Sequence, residues 1–381
     1  MRQQYEPSAD RIIALYQQLE DDILSAVIRR ILKMGYVSEA SKHQLEVLQA
    51  AGLLYDDIVQ LIADRTDACT AQVKALFEDA GVQTVAIDNS LHEAAGALPI
   101  DIRQDSSTRQ VLEAGYKKTL GTMQNLVSTT ATQAQTVFIQ TCDRIYMQVS
   151  SGAFSYQEAI MNALRALADT GATVSYPTGH TDRMDVAVRR CVLTGVSQTA
   201  AAVSLRQAED AGCYLMEITA HSGARPDHAK WQGQLVSLTG KDVGKTIDGL
   251  KVWSLSGIGY GSGEGFKGWN CRHNWHAYYP GLSTPNYTPE ELKKLDEPCI
   301  SYNGKLYTEY EISQMQRAQE RRVRAWKRRC ITAQEGVNSA TDEATRATAQ
   351  AEFDRSARYL KNNEAKLKDF CRQTGQDRDR F

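Results

Sequence analysis

Along the first half of the chain, apolar positions recur every three or four residues. Asp10 can cap a helix whose inner stripe is Ile12, Tyr16, Leu19, Ile23, Val27 and Ile31, and Gly35 would end it. Ser38 opens a second helix through Leu45 and Leu48, closing near Gly52. A third carries Leu54, Ile58, Leu61 and Ile62 and runs towards Phe77 and Gly81. Residues 109–150 are rich in Gln, Thr and Ala, with a stripe at Val137, Phe138, Cys142, Ile145, Tyr146 and Val149. Ser155 and Glu158 form a capping box for a helix ending at Gly171, and another helix is expected from about Thr181 to Gly212. No repeat of fixed period is present.

The pattern then changes. "CYLMEITA" (213–220) reads as a buried strand, followed by Gly-rich turns in "SGIGYGSGEG" (256–265) and a second strand candidate in "HAYY" (276–279). "ISYNGKLYT" (300–308) is a hairpin signal, because Asn303-Gly304 suits a type I′ turn between alternating apolar residues. From Glu309 onward the chain is charged and helical. The expected fold is a mostly α N-terminal half, then a small α+β module, then a long charged C-terminal helical tail. The corresponding segments are 1–171, 172–308 and 309–381.

Composition narrows the class. Of 381 residues, 42% are hydrophobic and 24% charged, the balance of a soluble globular protein with ample length for a core. No apolar run approaches the ~20 residues that span a bilayer, and "MRQQYEPSADR" lacks the apolar stretch of a signal peptide. Synthesis and folding in a cytoplasm are expected, with no membrane partner. Eight Cys without a CxxC pair point to reduced thiols. A net charge of −2 gives no global sign of nucleic-acid binding.

Candidate chemistry lies in two stretches, "HSGARPDHAKWQGQ" (221–234) and "GFKGWNCRHNWHAYYPG" (265–281), which hold four of the seven His. Cys271, His273 and His276 lie within six residues, and His221 or His228 would complete a tetrahedral zinc set. Against a structural zinc stands the alternative that these His bond loop backbone while Cys271 packs in a core. Asp227 or Glu264 with His228 and Cys271 would serve a metal-dependent hydrolase or nuclease, although nothing in the sequence brings them together, so no catalytic residue is assigned. "GYGSGEG" lacks the Lys-Ser/Thr of a phosphate loop and reads as a flexible surface loop. The stretch 316–330 places Arg317, Arg321, Arg322, Arg324, Lys327, Arg328 and Arg329 against one acid, Glu320. On a helix this is either a surface for nucleic-acid phosphates or a face balanced by acids of a neighbour.

In combination these segments resemble one family, the phage minor capsid proteins of the "minor capsid protein 2" type, related to Mu F-like head morphogenesis proteins. The resemblance rests on the Ala-Arg-Pro-x-His-x-x-Trp-Gln-Gly pattern from Ala224 to Gly233, on "NCRHNWHAYYPG", and on the Arg-rich helix "YEISQMQRAQERRVRAWKRR". It is close over residues 210–330 and looser over 1–370. Arg225, His228, Trp231, Gln232, Gly233, Asn270, Cys271, Arg272 and His273 match its characteristic positions. The resemblance implies a low-copy structural protein of the virion head. Its partners would be portal and capsid proteins and double-stranded DNA, with self-association open through the tail, and no catalytic role carries over. It also suggests that the two aromatic stretches form one rigid cluster burying Trp231, Trp269 and Trp275.

Overall fold

The computed structural model describes residues 9–102, 104–176 and 178–377. Among these, eight helices and nine short strands follow one another, in keeping with a helical first half, a strand-bearing middle and a helical end. They form two compact units, each assembled from separated segments rather than from the consecutive blocks 1–171, 172–308 and 309–381. Of the described residues, those within 1–10, 70–122 and 189–314 form unit 1, and those within 11–69, 123–188 and 315–381 form unit 2. The physical reason is helix length. α2 (Ala40–Ala94), α3 (Ser106–Ser150) and α5 (Met184–Asp210) each contribute to both.

α1 (Asp10–Met34) buries the expected stripe, with Leu19, Ile23, Val27 and Ile31 in the core of unit 2. α2 merges the two helices expected on either side of Gly52, and continues past Gly81. A glycine within a helix costs only ~1 kcal/mol, which tertiary packing overrides, and Gly81 is pressed against Leu112. α4 (Tyr156–Thr170) begins at the predicted capping box of Ser155 and Glu158 and ends at Gly171. Strands β1 (Thr173–Ser175) and β2 (Thr181–Arg183) form a small hairpin the sequence pattern does not announce. The helical tail consists of α7 (Glu309–Ser339) and α8 (Glu343–Thr374), and Asp342 caps the second by accepting from the Thr345 amide.

Unit 2 has a charged centre. Glu20 of α1 is fully buried (0% exposed). Its carboxylate accepts from Arg324 Nη2 at 2.6 Å and from the Ala172 amide at 3.2 Å, with Arg328 Nη1 at 3.9 Å. Arg324 Nε also pairs with Asp185 at 3.3 Å, and Arg328 Nε donates to the Ala168 carbonyl at 2.8 Å. Gly171, at φ +70° and ψ −173°, passes so close to the Glu20 carboxylate that a Cβ would collide with it. Burial pushes the Glu20 carboxyl above its ordinary value, opposed by the charge of Arg328 and Arg324.

Unit 1 is built on a five-stranded sheet in the order β5 (Thr246–Ile247), β6 (Leu250–Ser254), β4 (Leu235–Ser237), β3 (Leu215–Ile218), β7 (Trp275–Ala277). β3 runs antiparallel to β4 and β7, and β4 runs parallel to β6. Side chains alternate across it. Met216, Ile218, Val236, Trp275 and Ala277 join Ala201 and Ala208 of α5 in one core, while Leu215, Leu235, Leu250, Val252 and Tyr278 form another. Helix α6 (Pro289–Leu295) and hairpin β8 (Ile300–Tyr302)–β9 (Lys305–Tyr307) follow. As expected for a type I′ turn, both Asn303 and Gly304 have positive φ.

Removing one member of the Glu20 cluster leaves buried charge without a partner, which costs about 3–5 kcal/mol. Glu20→Leu is therefore expected to lower unfolding stability by about that much, measured by urea denaturation. A loss well under 1 kcal/mol would show that Arg324 and Arg328 do not depend on it.

Candidate functional site

Two loops meet at one end of the sheet in unit 1. The first leaves β3 and returns to β4, closed where the Gly233 amide donates to the Ile218 carbonyl at 3.0 Å. Between, a single helical turn forms after Pro226. The His228 and Ala229 amides donate to Arg225, and the Trp231 and Gln232 amides donate to His228. That turn places Arg225, His228 and Trp231 at three-residue intervals on one side.

The second loop runs from the end of β6 to β7. Its glycines are structural. Phe266 N donates to Ile258 O at 2.9 Å, and Gly265 is so near the Gly259 backbone that any Cβ would overlap it. The stretch read as a flexible loop is thus a packed set of turns. Lys267 and Asn270 adopt left-handed backbone, at φ +61° and +56°. The chain then extends, so Cys271 and His273 point inward while Arg272 is exposed. The Thr219 amide donates to the Asn274 carbonyl at 2.8 Å, continuing the β3–β7 pairing into the loops.

The loops are fastened by polar contacts. Arg225 Nη2 donates to the Glu264 carbonyl, and His228 Nε2 lies 2.9 Å from the same oxygen and 2.6 Å from Arg225 Nη2. Gln232 Oε1 accepts from the His221 amide and from His273 Nε2, each at 3.2 Å. Cys271 Sγ lies 3.7 Å from His273 Nδ1. Rings fill the space between. Trp231 stands 4.5 Å from His228 and 4.8 Å from His273, His221 lies 4.4 Å from His273, and Phe266 bridges Trp231 and Trp275. Trp231 and Trp275 are buried as expected, but Trp269 is 52% exposed, lying over Gly263 with the Arg190 guanidinium above its ring.

Burial holds the His273 imidazole well below its usual value, helped by the charges of His221, His228 and Lys267, and lowers His228 likewise. It pushes the Cys271 thiol up, opposed by Lys267. Lys267, which no sequence pattern marked, is itself buried; its ammonium donates to Ser197 Oγ at 3.1 Å, and desolvation brings it down to about 8.

Of the five expected metal ligands, His228, Cys271 and His273 come together, with the His221 ring tilted against that of His273. His276 does not. Three residues beyond His273 on extended chain, it faces the opposite side of the sheet, where it pairs with Glu217 at 3.2 Å and Asn286 at 2.7 Å.

The basic helix is also revised. Arg328 is 1% exposed and the Arg324 side chain 11%, and both turn inward onto Glu20, so neither is available to a polyanion. Arg329 pairs with Asp169 at 2.8 Å. Arg317, Arg321 and Arg322 are exposed, and Lys327 is half-buried.

The family model for phage minor capsid protein 2 matches residues 2–372. The chain belongs to that family. As a minor capsid protein it has relatives among lactococcal phages. It is 25% identical over 333 residues to a structural protein of Lactococcus phage LL-H, covering 84% of this chain and 86% of that protein. It is 37% identical over 84 residues to a structural protein of Lactococcus phage mv4, covering 22% of this chain and 59% of the relative. No solved structure matches the minor capsid protein. The Arg225–Gly233 and Asn270–His273 stretches that suggested the family are thus the ones that build the loop junction. Among the described residues no helix is long and apolar enough to cross a membrane.

Because His273 and His228 are buried and neutral, they bind protons less readily than in the unfolded chain. Their contribution to stability is full above the unfolded imidazole value of ~6.5 and is lost as pH falls below it. The urea midpoint should drop between about pH 7 and pH 5, and His273→Gln should flatten that dependence. An unaltered slope in the variant would reject His273 as its source.

Proposed function

We propose that this minor capsid protein is a low-copy, non-catalytic component of the phage head, docked on the portal protein through helix α2. The observation that supports docking is an apolar ridge on the part of α2 in unit 2. Leu45 (58% exposed), Leu48 (62%), Tyr55 and Val59 all reach solvent. Their spacing of three, seven and four residues puts them on one helix face, with Gly52 in the gap, where a partner helix can approach closely. The ridge is about 21 Å long at 1.5 Å per residue, enough for two turns of partner on each side of the glycine.

A structural role agrees with the loop junction. The side chains a hydrolase would recruit, His228, Cys271 and His273, are buried in packing. Glu264 offers its backbone carbonyl to His228 rather than its carboxylate, and Asp227 is exposed with its nearest oxygen 3.9 Å from His228.

Contact with packaged DNA is a secondary part of the proposal, and it rests on Arg317, Arg321 and Arg322. With three phosphate contacts, log affinity would fall against log salt with a slope of about −3.

The full chain should retain the portal protein of the same phage in a pull-down, and Leu45→Glu with Leu48→Glu should cut retention at least tenfold, roughly the loss of 1.4 kcal/mol. Equal retention rejects the ridge, and capture of a second copy of this chain instead reassigns it to self-association. For DNA, reversing Arg321 and Arg322 to Glu should flatten the salt slope by about 2. An unchanged slope removes this helix from DNA contact.

A further inference from the structure

We propose that His228, Cys271 and His273 bind one zinc ion, which clips the two loops of unit 1 together. Among the described residues these three form the group whose ligand atoms all lie within 4.8 Å of one another, and all three are buried. The sulfur–nitrogen separation of 3.7 Å between Cys271 and His273 agrees with the edge of a tetrahedral site. With Zn–S of about 2.3 Å and Zn–N of about 2.0–2.1 Å, that edge is about 3.6 Å.

The protons are placed for ligation. Gln232 Oε1 is fixed as an acceptor by the His221 backbone amide, so the bond from His273 puts the proton on Nε2. The lone pair of His273 is then on Nδ1, the atom facing Cys271. At His228 the Nε2 edge is already taken, by the Glu264 carbonyl at 2.9 Å and Arg225 Nη2 at 2.6 Å, which leaves Nδ1 as the nitrogen for a metal. At His273 an outer oxygen sets the tautomer of a ligating imidazole, the usual support of a metal-bound His.

One thiolate with two imidazoles suits zinc, which takes both ligand types in tetrahedral geometry. The ligands come from both loops, 43 residues apart from His228 to Cys271, so the ion would hold closed a chain segment otherwise joined by the Glu264 and Gln232 contacts.

The test uses the full chain purified without added chelator. Elemental analysis should find about one zinc per chain. Metal-free protein titrated with Co2+ should develop a thiolate-to-cobalt charge-transfer band at one equivalent, absent in Cys271→Ser and retained in Cys299→Ser, which removes an exposed thiol outside the cluster. In case Cys271→Ser fails to fold, the wild-type chain gives an independent readout. Zinc added to metal-free protein should raise the unfolding midpoint, as a ligand bound to the native state alone must. Substoichiometric zinc with no thiolate band, a band that survives Cys271→Ser, or a midpoint unmoved by zinc would each overturn the site.

Discussion

The carboxylate of Glu20 stands where three distant stretches of unit 2 converge: α1, the turn at 168–172 and α7. Its ionised form is tolerable there only because Arg324, Arg328 and the Ala172 amide reach it together. Burying an ion costs several kcal/mol, and a shift of α7 by one residue would strand both charges. The cluster therefore sets the register of α7 against α1 more sharply than an apolar contact of equal size. Gly171 is part of the same constraint, since no side chain fits beside the carboxylate. The consequence for function is direct. Two of the arginines that give α7 its basic character, Arg324 and Arg328, are consumed in holding unit 2 together.

Unit 1 repeats this logic around neutral acceptors, a backbone carbonyl and a side-chain amide oxygen. Arg225 and His228 converge on the one carbonyl of Glu264, and two donors converge on Gln232 Oε1. Each loop alone has too little regular structure to satisfy its buried polar atoms, so each needs the other. Glycines at 259 and 265 let the second loop fold tightly enough to present its carbonyl. The rings of Trp231, Phe266 and Trp275 then close the space between loop and sheet.

Features decided by nearby residues were legible in the sequence. The α1 stripe, the Ser155 capping box and the Asn303-Gly304 turn all depend on contacts within four residues, and each forms as the pattern predicts. Features decided by remote partners were not. Nothing around Arg324 reveals an acid some 300 residues earlier, and the parallel pairing of β4 with β6 has no local signature. Gly52 and Gly81 read as helix ends because propensity is a weak term beside packing. His276 is a different case. Its odd offset from His273 already assigns it to the other face of an extended chain, so parity along the strand separates it from Cys271. Trp269 follows from the turn beside it, where its amide donates to Gly263 O at 2.6 Å and carries the indole outward.

The residues that attract notice in this chain are therefore mostly interior ones. Imidazoles, a thiol, two of the indoles and two arginines are spent on internal contacts, where an unsatisfied group would be costly and a satisfied one fixes geometry. What faces solvent is plainer: leucines and a tyrosine on α2, and a few exposed arginines on α7. That division suits a protein of a capsid family. A part that holds its place in an assembly needs rigid units and broad adhesive surfaces, and its chemically distinctive side chains serve the rigidity. An exposed ridge of ordinary apolar residues leaves little mark in composition, which is why Leu45 and Leu48 pass for core positions until the fold exposes them.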